Sequence, residues 1–285
     1  MNSEIPLVRS VLHPTDFSDA SHRAFAHALA ISLLRQTELT ILHVGNEKAE
    51  DVDWASFPQV RETLERWNLL EPGSRRSEVF AKLRVAVRKL ALRSGNPSRA
   101  VVGFLERQEH DLIVVATDGL VQGNKAWLQR SDAEAIARGS RAMTLFVPTR
   151  TNRALVSIED GELNLKNVVV AIDAAIKPDG AVEFARRAAE IIGDGNVAIS
   201  LIHVGEQMPP LPNLPKGNGW NWRTALRQGE PVESILGAAE DLAADLIVMT
   251  TNGRDTLNQA LWGSTTERVL RNAKCPVLAV PDGEY

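Results

Sequence analysis

Two aspartates, Asp16 and Asp173, each follow a short apolar run and precede an amphipathic stretch. In an open parallel sheet ligands bind beyond the carboxyl ends of the strands, so such a carboxylate either faces a ligand or caps the turn into the next helix. Glycines follow two further apolar runs: Gly119 and Gly123 come after Leu112 to Ala116, and Gly253 after Leu246 to Met249. Loops of this kind let backbone N–H groups approach phosphate oxygens, and a following helix adds its positive end. Gly263-Ser264 opens such a helix in the second case. Arg130-Ser131 stands at the matching place in the first, where the arginine either obstructs the approach or itself contacts phosphate. Ser264 with Glu267 and Ser131 with Glu134 also read as capping boxes, which satisfy the same N–H groups without a ligand.

The remaining reactive side chains point less sharply to chemistry. His43 and His203 recur at equivalent strand ends, as ligands or as hydrogen-bonded structural residues. His13 is expected on a strand beside His43, but no carboxylate or cysteine at ligand spacing supports a metal site. Cys275, the only cysteine, precedes Pro276 at the entrance to an apolar strand and reads as a buried small side chain. Trp220 and Trp222 flank a loop rich in Pro, Gly and Asn; they pack in a core, or cover a pocket or a partner surface. No Walker, Gly-x-Ser-x-Gly or His-Glu-x-x-His pattern occurs.

The elements that would position these residues occur twice. His110-Asp111-Leu112-Ile113-Val114-Val115-Ala116-Thr117-Asp118-Gly119 returns as Ala244-Asp245-Leu246-Ile247-Val248-Met249-Thr250-Thr251-Asn252-Gly253. His43-Val44-Gly45 returns as His203-Val204-Gly205, and Phe146-Val147-Pro148 as Ala279-Val280-Pro281. A repeat this long is a duplicated domain, here 1–150 and 151–285. Apolar strands alternate with amphipathic helices in both halves, which predicts α/β domains with open, five-stranded parallel sheets and helices on both faces. In the first half the strands are Arg9–Pro14, Leu39–Val44, one around Val85–Leu92, Leu112–Ala116 and Thr144–Val147. In the second they are Val168–Ile172, Val197–Val204, Trp222–Arg227, Leu246–Met249 and Pro276–Val280. Asp53 to Lys82 reads as a partly helical insert broken near Pro72-Gly73, and 151–167 as a hairpin-like linker around Asp160-Gly161.

The net charge of −4 gives no footprint for nucleic acid or an anionic membrane. No apolar run reaches the length of a membrane span, and residues 1–9 lack an export pattern, so a cytoplasmic protein is expected. One cysteine allows no intrachain disulfide.

Gly263-Ser264-Thr265-Thr266-Glu267-Arg268-Val269-Leu270 and Cys275-Pro276-Val277-Leu278-Ala279-Val280-Pro281 resemble the C-terminal signature of the universal stress protein family. Pro14-Thr15-Asp16-Phe17-Ser18 resembles its N-terminal signature. The resemblance covers nearly the whole chain as two tandem copies. It implies an adenine nucleotide alpha hydrolase-like fold and a non-enzymatic role in stress survival, with ATP or another adenine nucleotide, and its magnesium, as the ligand. It would place Pro14, Thr15, Asp16, Val44 and Gly119 at a nucleotide site in the first half. Asp173, Val204, Gly253, Gly263, Ser264 and Thr265 would form one in the second, with the aspartates on the nucleoside and the valines lining the adenine. The family's ATP-binding form spaces two glycines by two residues, then nine residues, then Gly-Ser or Gly-Thr. Neither half has that spacing: Arg130 replaces a glycine in the first, and Thr256 and a loop of six residues depart from it in the second. The resemblance also implies pairing through the last strands, here a pseudo-two-fold pair of domains within one chain, with a homodimer open as well. Slow ATP hydrolysis, or vestigial pockets in an interaction module, are the alternatives.

Overall fold

The computed structural model describes residues 8–117, 130–149, 151, 155–192, 195–251 and 264–282. It divides into two compact units, one built on Leu7–Thr149 with Val156–Leu163, the other on Asn164–Tyr285. The first contains β1 (Ser10–Thr15), α1 (Asp19–Arg35), β2 (Glu38–Gly45), α2 (Val60–Arg66), α3 (Arg76–Leu83), β3 (Ala86–Arg93), α4 (Pro97–Leu105), β4 (Leu112–Ala116), α5 (Arg130–Gly139) and β5 (Met143–Val147). Its strands lie in the order β3-β2-β1-β4-β5, all parallel. The second contains β6 (Asn167–Ile172), α6 (Asp179–Ile192), β7 (Val197–Val204), β8 (Trp220–Arg227), α7 (Pro231–Asp241), β9 (Leu246–Thr251), α8 (Ser264–Asn272) and β10 (Val277–Pro281). Its order, β8-β7-β6-β9-β10, repeats the first. Right-handed crossovers that change direction at β1 and β6 put helices on both faces of each sheet. The same reversal opens a crevice at the carboxyl ends of β1 and β4, and of β6 and β9, where ligands bind in such sheets.

Local sequence explains the element boundaries. The Ser18 hydroxyl accepts the Ser21 N–H to start α1, and Gln36, left-handed at φ 50°, ends it. Asn96 caps α4 through the Arg99 N–H, with Pro97 in the first turn. Glu230 caps α7 by accepting from the Val232 and Glu233 N–H groups at 2.9 and 3.2 Å. The expected break at Pro72-Gly73 separates α2 from α3. β4 and β5 are buried at every position, as continuous apolar runs require.

The repeated Asp-Leu-Ile-Val has a structural cause in its first residue. Asp111 Oδ2 accepts hydrogen bonds from the Arg9 and Ser10 N–H groups at 2.7 and 3.0 Å, tying the start of β1 to β4. Asp245 Oδ2 does the same for Lys166 and Asn167, both at 2.8 Å, tying β6 to β9. These charge-assisted bonds fix the two strands that flank each crevice.

The linker forms one antiparallel bridge, Val156 to Leu163, around a turn in which Gly161 takes φ +76°. The turn holds the insert: Trp67, at the end of α2, donates its indole N–H to Ile158 O at 2.9 Å. A Cβ on Gly161 would run into the same indole ring. β8 starts two residues earlier than the expected Trp222. Its register pairs Trp220 with Val197 and Arg227 with Val204, so both tryptophans lie at the amino end, away from the crevice. Both indoles donate to Pro215 O, at 3.2 and 2.8 Å. Among the described residues no helix is long and apolar enough to cross a membrane.

Replacing Asp245 or Asp111 by Ala leaves two strand N–H groups without their acceptor. Each change is expected to lower stability by about 1–3 kcal/mol in urea-induced unfolding, more for the better-buried Asp245.

Candidate functional site

In the first unit the crevice begins where β1 ends. Pro14 and Thr15 are buried, and Asp16 is only 5% exposed. Asp16 Oδ1 accepts the Ser18 N–H at 3.1 Å and the Ser18 hydroxyl at 2.6 Å, so one oxygen is engaged in the turn into α1. The Thr15 hydroxyl accepts from Phe17 N–H and from the Ser21 hydroxyl. Phe17 is left-handed at φ 64°, a conformation that costs on the order of 1–2 kcal/mol outside glycine. That backbone lays its ring on the His43 imidazole, 4.1 Å between centroids and 20° between planes.

The insert completes this cluster. Phe57, 1% exposed, meets Phe17 edge-on at 5.2 Å and His43 at 6.2 Å, and Trp54 stacks on Phe57 at 5.0 Å. The ends of β1 and β2 therefore carry the protein's own aromatic rings, and the Val44 side chain, next along β2 and on the other face, is fully buried.

The His-Val-Gly repeat is a second shared clamp. His43 Nδ1 donates to Thr15 O at 2.8 Å, and His203 Nδ1 donates to Ile172 O at the same distance. Each imidazole thus pins the end of the first strand to the second. The glycine two positions on makes room for the ring: a Cβ on Gly45 or Gly205 would approach the histidine Nε2 to 3.0 or 2.6 Å. Of the two readings of these histidines, the structural one accounts for their contacts. His13 pairs in register with Ile41, not His43, and donates Nδ1–H to Val114 O at 3.0 Å. Among the described residues no group of three or more His, Cys, Asp or Glu side chains has metal-site geometry.

The second crevice is differently furnished. Asp173 is exposed, as are Ala174 and Ala175, and Asp173 Oδ1 accepts only the Ala175 N–H, at 2.8 Å, among the contacts resolved for it. Val204 is half-buried where Val44 is fully buried, while Gly205 and Gly45 are both half-buried. Here β7 leads directly into the Pro-rich segment before β8, and no aromatic ring among the described residues stacks on His203.

The expected phosphate-loop glycines Gly119, Gly123, Gly253 and Gly263, together with Thr256, lie outside the described residues. So do the side chains of Arg130, Ser131 and Ser264, and with them the proposed capping boxes and the question of whether Arg130 obstructs phosphate. Thr265 is half-buried in the first turn of α8. Cys275 is buried, as expected. Sequence reasoning missed Phe17 and Phe57 as site residues. Phe17 directly follows Asp16, and that adjacency was the available signal; nothing local marks Phe57.

Two α/β units with parallel sheets of the same strand order define a duplicated domain. The Universal stress protein family model matches residues 8–148 and 214–281, and the chain belongs to that family. A universal stress protein of Methanocaldococcus jannaschii is 31% identical over 150 residues, 43% of this chain and 86% of the relative. One from Thermus aquaticus is 47% identical over 55 residues, 19% of this chain and 40% of the relative. A universal stress protein structure from Archaeoglobus fulgidus aligns with TM-score 0.61 and 21% identity, covering 98% of this chain and all of that one. A putative universal stress protein from Pseudomonas aeruginosa aligns with TM-score 0.63 and 17% identity over 96% of this chain and 93% of that one.

Burial also sets a pH limit on the first unit. Desolvation lowers the pKa of His13 and of His27 from 6.5 to about 4, against the backbone hydrogen bonds to Val114 and Arg23 that raise it. His27 Nε2 is buried without a hydrogen-bond partner among the described residues, so its protonated form has nothing to receive the new N–H. The folded state keeps both rings neutral, whereas the unfolded chain takes up protons near 6.5. Stability is therefore complete above pH 6.5 and is lost as pH falls toward 4, on the order of 3 kcal/mol per histidine. Thermal melts between pH 7.5 and 4.5 are expected to show this decline, and His27→Leu to flatten it.

Proposed function

We propose that this chain is a stress-response binding or regulatory protein in which the second domain carries the adenine-nucleotide site and the first domain's site is closed. The observation that carries this reading is the contrast between Asp173, exposed at an open strand end, and Asp16, buried beside the Phe17–His43–Phe57 cluster. Asp173 would hold the ribose hydroxyls, Val204 would line the adenine, and Gly253, Gly263, Ser264 and Thr265 would supply phosphate donors at the start of α8. Magnesium would come with the nucleotide. Pro14, Thr15, Asp16, Val44 and Gly119 correspond to the site that the first domain no longer presents.

The reading assigns binding and no reaction. Pairing of the domains 1–150 and 151–285 through their last strands, association of two chains, and a cytoplasmic setting belong to the same reading. Its support on pairing is the apolar sequence of β5 and β10, since a strand edge needs a cover.

Isothermal titration with ATP, with and without magnesium, is the test. One nucleotide per chain is expected, with affinity reduced about tenfold or more in Asp173→Ala and little changed in Asp16→Ala. No binding at millimolar nucleotide would remove the nucleotide role. ATP turnover above a matched blank, abolished by Asp173→Ala, would replace the binding protein with a hydrolase.

A further inference from the structure

The β2–β3 crossover that packs Phe57 on the end of β2 also lines a half-open pocket of its own. It lies between α2, α3 and the outer strand β3 and has a volume of about 590 Å³, within the range of small-molecule sites. Val60, Val79, Val85 and Val87 line it with apolar surface, and the first three are buried. Trp54 and Phe80 also line it, 49% and 55% exposed. These are two of five exposed large apolar side chains among the described residues, and finding both at one cavity marks an uncovered apolar wall.

The charge of the lining is one-sided. Arg61, Arg76 and Lys89 border the cavity against the single carboxylate of Glu62. Arg61 Nε lies 3.4 Å from Glu65 Oε1, an ion pair, but that nitrogen is buried and makes no hydrogen bond among the described residues. Arg76 and Lys89 form no salt bridge among the described residues. Lys89 Nζ sits 5.9 Å from the Phe57 ring centroid, a cation held over an aromatic face. Burial, and then the Arg76 charge, hold the Lys89 pKa below its ordinary value, with Glu62 opposing. An anion between Lys89 and Arg76 would relieve that repulsion and replace lost solvation.

We propose that this cavity binds a small amphipathic anion, an apolar body bearing a carboxylate or phosphate head. The body would cover the valines, Trp54 and Phe80, and the head would lie between Lys89 and Arg76. The site is separate from the nucleotide crevice, because neither Asp16 nor Val44 lines it. The proposal stands whether or not the second domain binds nucleotide.

The test uses the full chain and the fluorescent aromatic sulfonate 8-anilinonaphthalene-1-sulfonate, displaced in turn by decanoate, decyl phosphate and decanol. Saturable binding of one probe per chain is expected, unaffected by excess ATP and weakened about tenfold in Lys89→Met and in Arg76→Gln. Lys89→Arg keeps the charge and should keep binding, which separates lost contact from lost folding; melting curves of all variants serve the same purpose. Val79→Trp, which fills the cavity, should abolish binding. Decanoate or decyl phosphate should displace the probe, and whichever does so at lower concentration identifies the head group. Displacement by decanol at equal concentration, affinity unchanged in both charge variants, or binding that never saturates would overturn the proposal.

Discussion

The fold depends on how its first strand is held. In each unit an aspartate at the start of the fourth strand accepts two successive N–H groups from the first, Asp111 from Arg9 and Ser10, Asp245 from Lys166 and Asn167. At the other end a histidine of the second strand donates to the last carbonyl of the first. The strand at which the sheet order reverses is thus fixed at both ends by side chains. A carboxylate shared by two N–H groups has a narrow geometry, and the register it sets decides where β1 and β6 end. The two candidate aspartates, Asp16 and Asp173, follow directly from those ends. Both clamps survive in both copies, while the loops beyond them do not.

Those loops make two different sites on one frame. After β2 the chain carries an insert whose Phe57 fills the space over His43, with Trp67 held by the linker turn at Ile158 and Gly161. After β7 it carries a Pro-rich segment that returns to Trp220 and Trp222 at the far end of the sheet. Exposing a buried phenylalanine such as Phe57 costs about 1.5–3 kcal/mol, equivalent to roughly a tenfold to hundredfold loss for any ligand that must displace it. The left-handed Phe17 is retained in spite of its own conformational cost because its ring closes the same cluster. The insert thereby packs aromatic rings on one strand-end crevice and contributes Trp54 and Phe80 to a pocket that Lys89 of β3 also lines.

The fold was legible in sequence for a physical reason. Strands buried on both faces read as unbroken apolar runs, and Leu112–Ala116 has the same limits in sequence and structure. Helix starts were legible because Ser18, Asn96 and Pro97 act locally. The repeat showed that Asp111 and His43 matter, but not how, since their partners lie 101 and 28 residues away. The site was less legible. Asp16 and Asp173 stand at matching positions, yet one is buried and the other exposed, and the ring that packs on the neighbouring Phe17 and His43 comes from Phe57, in an insert with no counterpart in the other copy. The tryptophans at 220 and 222 show the same limit: a residue beside a loop can face either end of a sheet, and only the pairing of Trp220 with Val197 decides which.

On the clamped frame that both copies share, we place the nucleotide in the second crevice and not in the first. A crystal structure of the full chain grown with ATP tests this most directly. The expected result is nucleoside density beside Asp173 and Val204, with the Phe17, His43 and Phe57 rings still packed together. Nucleoside density beside Asp16 with Phe57 displaced, and none beside Asp173, would contradict it.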